Sequence, residues 1–231
     1  MKNKCLAIIP ARGGSKRIPG KNIKEFLGKP IIAYSIQTAL ESNLFQEVMV
    51  STDDSQIADI ALRYGAKVPF MRSKENSDDF AGTADVLFEV LVDYKKNGIF
   101  FDSACCIYPT APLLKRENLI ETYNLLISEN YDTVFPVVKF SYPIFRALKF
   151  ENNKVNMIWE ENLSKRSQDL PDSFHDTGQF YWFKINEFLK QKKLFTENSG
   201  ALILKETQVQ DIDNETDWKL AELKYKLNFN E

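Results

Sequence analysis

Short apolar runs alternate with amphipathic helical stretches through the first half of the chain, and this alternation constrains the fold most. Residues 4–9 read as a buried strand, and Pro30 opens a helix carrying Ile31, Ile32, Tyr34 and Leu40. Glu47–Ser51 reads as a second strand. Asp53 and Asp54 then cap a helix that runs to Tyr64 and stops at Gly65. A short strand is predicted at 67–71, followed by a polar loop over 73–82. Thr83 is expected to cap a helix in which Val86, Leu87, Val90, Leu91 and Tyr94 recur at helical spacing, with Gly98 as its stop. Ser103–Ile107 reads as a strand, 116–129 as a helix and 133–138 as a strand. Strands separated by helices need crossover connections. The class is therefore α/β, with a mixed, mainly parallel sheet and helices on both faces.

The alternation breaks over 140–175. Residues 145–150 and 155–159 flank the turn pair Asn152-Asn153, which predicts a β-hairpin. Phe145, Leu148, Phe150, Met157 and Trp159 are too apolar for a solvated flap, so this arm is expected to pack on a second subunit or on its own domain. Residues 179–183 resume the sheet, and 209–213 read as the last strand. Asn214 or Thr216 caps a closing helix with Trp218, Leu220, Ala221, Leu223 and Leu227. Residues 1–231 are thus expected to form one domain with an inserted arm.

A formal net charge of −2 gives no global field toward nucleic acid or an anionic membrane, so any anion site must be local. The first apolar run stops at Pro10, too short for a membrane span, and no signal-peptide pattern is present. Cys5, Cys105 and Cys106 all lie in apolar runs and are expected to be reduced thiols of a cytoplasmic protein. A single histidine excludes a multi-histidine metal centre.

The loop after the first strand, Arg12-Gly13-Gly14-Ser15-Lys16-Arg17-Ile18-Pro19-Gly20-Lys21-Asn22, is glycine-rich yet fits neither common nucleotide motif. Gly14 and Gly20 are one residue too far apart for a Walker loop, and Pro19 removes an amide that a phosphate cradle would use. The dinucleotide fingerprint is absent, which ranks a nicotinamide-dependent oxidoreductase last. The cations are the stronger clue. Arg12, Lys16, Arg17, Lys21, Lys24 and Lys29 follow the carboxyl end of a strand, where open α/β sheets place ligands. A solvated basic loop is the alternative; the flanking glycines and the strand-end position favour phosphate binding through side-chain cations.

Four further segments stand in order along nearly the whole chain: Val50-Ser51-Thr52-Asp53-Asp54, Tyr108-Pro109-Thr110-Ala111-Pro112-Leu113, Ser167-Gln168-Asp169-Leu170-Pro171 and Asp211-Ile212-Asp213. With the opening loop they resemble the signature of the cytidylyltransferases that activate acidic sugars as CMP-glycosides. The resemblance implies a Rossmann-like sheet of the nucleotide-diphospho-sugar transferase type and a homodimer formed through the hairpin arm. It also implies Mg²⁺-dependent transfer of CMP from CTP to the anomeric hydroxyl of an acidic nine-carbon sugar, with release of pyrophosphate.

By this resemblance Arg12, Lys16 and Lys21 hold the triphosphate and the leaving group, and Gly13, Gly14 and Ser15 of the same loop also bind the substrate. Arg12, Lys21 and Asp211 are then the catalytic candidates. Asp211 and Asp213, two apart, would project from one face of a strand. Alone such a pair reads as a solvated strand edge, and the resemblance makes it the Mg²⁺ ligands. Arg72 resembles a family arginine near the nucleotide. Asn22, Ser77 and Thr83 are ribose or cytosine contacts or simply cap and turn residues. Tyr108 and Thr110 line the substrate, and Arg166 and Gln168 are candidates for the sugar carboxylate. Phe174-His175-Asp176-Thr177-Gly178-Gln179-Phe180 resembles the pseudaminic acid branch of the family rather than the sialic acid branch, which assigns His175, Thr177 and Gly178 to the sugar. The same reaction on sialic or legionaminic acid is the nearest alternative. A non-catalytic nucleotide-sensing module is the alternative of another class; it would keep the basic loop but tolerate loss of Asp211 and Asp213.

Overall fold

The structure, a computed structural model, describes residues 3–78 and 81–229. The first strand, β1 (Cys5–Pro10), leads through the basic loop to a small ribbon, β2 (Glu25–Phe26) and β3 (Lys29–Pro30), and then to α1 (Ile31–Glu41). The alternation continues with β4 (Glu47–Ser51), α2 (Ser55–Arg63), α3 (Thr83–Lys96), β5 (Ser103–Ile107), α4 (Arg116–Ser128) and β6 (Thr133–Lys139). The arm carries β7 (Leu148–Glu151) and β8 (Lys154–Met157). The chain returns through β9 (Phe174–Asp176), β10 (Phe180–Lys184), α5 (Ile185–Gln191), β11 (Ser199–Leu204) and α6 (Glu215–Phe229).

The main sheet runs β11-β6-β10-β5-β1-β4, with β9 also paired to β6. β1 pairs in parallel with β4 and β5, and β6 with β11, while β10 runs antiparallel between β5 and β6. The expected mixed, mainly parallel sheet is what forms. Side chains on β1 alternate between two cores. Cys5, Ala7 and Ile9 pack with Ile32 and Ile36 of α1, Ile57 of α2 and Leu119 of α4. Leu6 and Ile8 pack with Leu87 and Val90 of α3 and Phe188 of α5. Cys105 and Cys106 divide between the faces in the same way, and burial raises both thiols, Cys106 to about 12. They are inert core residues.

A third, smaller core gathers Ile18, Phe26, Ile31, Tyr34, Ile212, Trp218 and Ala221. Phe26 meets Tyr34, Trp218 and Tyr225 edge-on at 5.3, 5.6 and 5.8 Å, contacts of about 0.5–1.5 kcal/mol each beyond their area. This cluster fastens the far half of the basic loop to α6.

Several boundaries differ from expectation. The 67–71 segment is a single bridge from Lys67 to Met49, because Pro69 has no N–H to continue a ladder. The last strand is β11, not 209–213. A 3₁₀ turn at Glu206–Gln208 leads the chain off the sheet, and residues 209–213 belong to no strand. Thr83 does not cap α3: Gly82 holds that position without a side-chain bond, and Thr83 is the first helical residue. In the arm, Asn152 and Asn153 have φ of 52° and 60°, the left-handed pair that a two-residue hairpin turn requires. The strands are shorter than expected, since residues 144–146 form a 3₁₀ turn. Phe150, Leu148 and Val155 are 70%, 58% and 56% exposed, so this face of the arm is not packed on its own domain.

Candidate functional site

The basic loop is fixed by bonds that its glycines permit. The Gly13 amide donates to Asp53 Oδ1 at 2.9 Å, and a Cβ on Gly13 would lie 2.7 Å from Asp54 Oδ2. Asp54 is already committed as the cap of α2, accepting from the amides of Gln56 and Ile57 at 2.7 and 3.1 Å. Ser15 N donates to Gly13 O at 2.9 Å, whereas a Cβ on Gly14 would meet open space. Asn22 is buried and donates to Arg12 O at 2.9 Å, bracing the loop from within.

Arg12, Ser15, Lys16, Lys21, Asn22, Arg72, Thr83, Tyr108 and Thr110 line one cleft of about 310 Å³ beyond the carboxyl ends of β1 and β5. Arg17 also lines it, a residue that sequence reasoning counted among the cations without assigning it to the site. Arg72 is buried, donating through Nε to Ser51 Oγ at 3.0 Å and through Nη2 to Ser51 O at 2.5 Å. Burial lowers its pKa, opposed by the charge of Asp53, yet a guanidinium stays protonated at any working pH. The Thr83 hydroxyl stands 3.0 Å from the Tyr108 hydroxyl, and burial pushes that phenol up to about 12.

A second cleft, of about 320 Å³, shares Lys21, Tyr108 and Thr110 with the first and adds Asp176, Gly178, Tyr181 and Asp211. Lys21 therefore stands where the two meet. Its Nζ donates to Ile212 O at 2.6 Å and lies 4.0 Å from Asp213 Oδ1. Burial lowers its pKa, and Asp213 and Asp211 pull it back up. Arg17 Nη1 is 2.6 Å from Asp213 Oδ2. Asp211 is raised, first by burial and then by the charge of Asp213. The pair is not on a strand; Asp211 and Asp213 flank the buried Ile212, which anchors the segment in the core under the basic loop. Asp217 lies in the first turn of α6. It accepts from the amides of Asp213 and Asn214 at 2.9 and 3.0 Å, and Asn214 Oδ1 accepts from Thr216 N and Asp217 N, a reciprocal cap that fixes the segment.

Other candidates lie elsewhere. Ser77 donates to Ser73 O at 2.6 Å as a turn residue. Arg166 pairs with Asp169 on the exposed arm, raising its pKa through that bond. Gln168 lines a separate groove with Phe140 and Tyr142 at the arm's base. His175 is exposed, its ring 4.7 Å from that of Phe140. Thr177 is buried, its hydroxyl without a partner among the described residues. Gly178, at φ 61°, does line the second cleft. Sequence reasoning passed over Asp176 and Tyr181; strand alternation beside His175 was the available signal.

Comparison with known proteins bears on this geometry. The family model described as Cytidylyltransferase matches residues 6–226. The chain is 44% identical over 229 residues to a pseudaminic acid cytidylyltransferase of Campylobacter jejuni, covering 99% of this chain and 98% of that one. It is 33% identical to a CMP-N,N'-diacetyllegionaminic acid synthase of Legionella pneumophila, covering 97% of each. Among solved structures, a CMP:2-keto-3-deoxy-manno-octonic acid synthetase complexed with CTP superposes with a TM-score of 0.68 at 16% identity, covering 95% of this chain and 97% of that one. That likeness shows a shared fold. The sequence matches, which span both clefts, carry the assignment further: this chain belongs to the cytidylyltransferase family.

Proposed function

We propose that this chain transfers CMP from CTP to pseudaminic acid, releasing pyrophosphate. The observation that carries the reading is the 44% identity, across nearly the full length, to a relative of that activity. The two clefts meeting at Lys21 support it, because a nucleotide and an acceptor must touch where the new bond forms. In the first cleft Arg12, Lys16 and Lys21 bind the triphosphate. In the second, the anomeric hydroxyl of the sugar faces the α-phosphorus. An O–P bond forms as the α–β phosphoanhydride bond breaks, the hydroxyl proton passes to solvent water, and pyrophosphate departs against the loop cations.

Asp211 and Asp213 fit Mg²⁺. Among the described residues no group of three or more His, Cys, Asp or Glu could hold a metal, and two carboxylates completed by phosphate oxygens and water is how Mg²⁺ is commonly held. The raised carboxyl of Asp211 beside Asp213 marks a site that gains from a cation. When bound there, the ion would offset negative charge on the phosphates. The exposed apolar face of the arm supports a homodimer formed through it. No described helix is long and apolar enough to cross a membrane, and we place the reaction in the cytoplasm, where CTP is made.

The test is pyrophosphate release from CTP and Mg²⁺ with each nine-carbon sugar acid offered separately. Release with pseudaminic acid is expected. Release with none of them overturns the enzyme reading, and release only with sialic or legionaminic acid overturns the choice of sugar.

A further inference from the structure

Strand β9 pairs antiparallel with β6, Asp176 opposite Val137 and His175 opposite Val138. Successive side chains on a strand point to opposite faces. His175 therefore leans outward on Phe140, and Asp176 turns into the cleft that also holds Tyr108, Gly178, Tyr181 and Asp211. The carboxylate of Asp176 accepts a short hydrogen bond from the hydroxyl of Tyr181 on β10. Burial, and then the bond to Asp176, raise the Tyr181 phenol, so it stays protonated and donates. The Tyr181 ring meets Tyr108 edge-on at 6.0 Å, and the Tyr108 hydroxyl is engaged with Thr83. Both tyrosines are thus held in place. Among the described residues Tyr181 is the one hydrogen-bond donor to the Asp176 side chain. A carboxylate accepts about four hydrogen bonds, so Asp176 keeps capacity for a ligand in the cleft.

We propose that Asp176 is a specificity-determining residue of the acceptor cleft, accepting a hydrogen bond from an N–H or O–H of the sugar, with Tyr181 positioning its carboxylate. This rests on the reading that the second cleft receives a sugar acid. Charge fixes the orientation. Among the described residues lining this cleft Lys21 is the one cation and attracts the sugar's own carboxylate; Asp176 repels it with no cation beside it in the cleft, whereas the charge of Asp211 is offset by Lys21 and Arg17. In a keto acid sugar the carboxylate is borne by the anomeric carbon, so its reacting end is drawn toward the nucleotide. The amide and hydroxyl groups farther along the sugar are left to meet Asp176. A carboxylate selects such donors and penalises an acceptor or a second acid at the same place.

Steady-state kinetics on Asp176→Asn and Tyr181→Phe test this, varying sugar and CTP separately. Asp176→Asn is expected to raise the sugar KM about 10- to 100-fold while the CTP KM stays within about twofold. Tyr181→Phe keeps the ring packing and should raise the sugar KM less, in the same direction. An unchanged sugar KM in Asp176→Asn, an equal rise in both KM values, or a fall in kcat alone overturns the proposal. Should Asp176→Asn fail to fold, an unchanged sugar KM in Tyr181→Phe overturns it. Wild-type turnover in the same series separates the two readings. Its absence overturns the proposed function, and normal turnover with unaltered sugar handling in the variants overturns only the assignment of Asp176.

Discussion

Ionising Asp211 costs the folded protein free energy, because burial and the charge of Asp213 raise its carboxyl even against the pull of Lys21. A folded-state value above the unfolded one means the cost is present at neutral pH. It fades as pH falls through the raised value, and is gone below the ordinary aspartate value of about 3.9. Asp211→Asn should therefore raise Tm at pH 7 while abolishing most turnover, with the gain in Tm shrinking toward pH ~4. Thermal melts across that range check the sign; a lower Tm at pH 7 would show that Asp211 stabilises the fold it serves. At this scale the sequence showed the cations clearly, because glycines and a strand end announce Arg12 and Lys21. It did not show Asp176: alternation along β9 sets His175 and Asp176 on opposite faces, but which of those faces meets the cleft is decided by the long-range pairing of β9 with β6. Nor did it show that Arg17 pairs with Asp213 across the fold.

Among elements, the basic loop and α2 form one unit. Asp53 holds the loop's amide, Asp54 caps the helix, and Gly13 lies in the space between them. Gly13→Ala puts a methyl group against Asp54 and is expected to cost about 1–3 kcal/mol in urea unfolding and to raise the KM for CTP. A variant as stable as the parent with an unchanged KM would separate loop from helix. β1, β4, β5 and β6 were legible because each is an apolar run buried on both faces. β11 was not. It is an edge strand with Ala201 and Ile203 turned outward, and its signal was weaker than the Val209–Asp213 alternation nearby. That alternation reflects a different cause: Val209 packs with Val138 and Leu204, and Ile212 joins the core under the basic loop.

For the molecule as a whole, assembly turns on the arm, whose Phe150, Leu148 and Val155 stand largely exposed in a single chain. With the homodimer proposed above, Phe150→Asp should shift the protein from twice the chain mass to the chain mass in light scattering after size exclusion, leaving the melt of the main domain within a few degrees. Wild-type protein running at the chain mass would remove the arm as an interface. The site itself joins distant parts of the chain: Lys21 bonds to Ile212 across 191 residues, and Lys24 to Glu215 across the same span. A ribosome adding roughly 5–20 residues each second needs roughly 10–40 seconds to make that interval. Throughout it the nascent loop displays its cations with neither Asp211 nor Asp213 yet made, and catalytic competence arrives late in synthesis, as the segment carrying them emerges and closes over a loop that has waited for it.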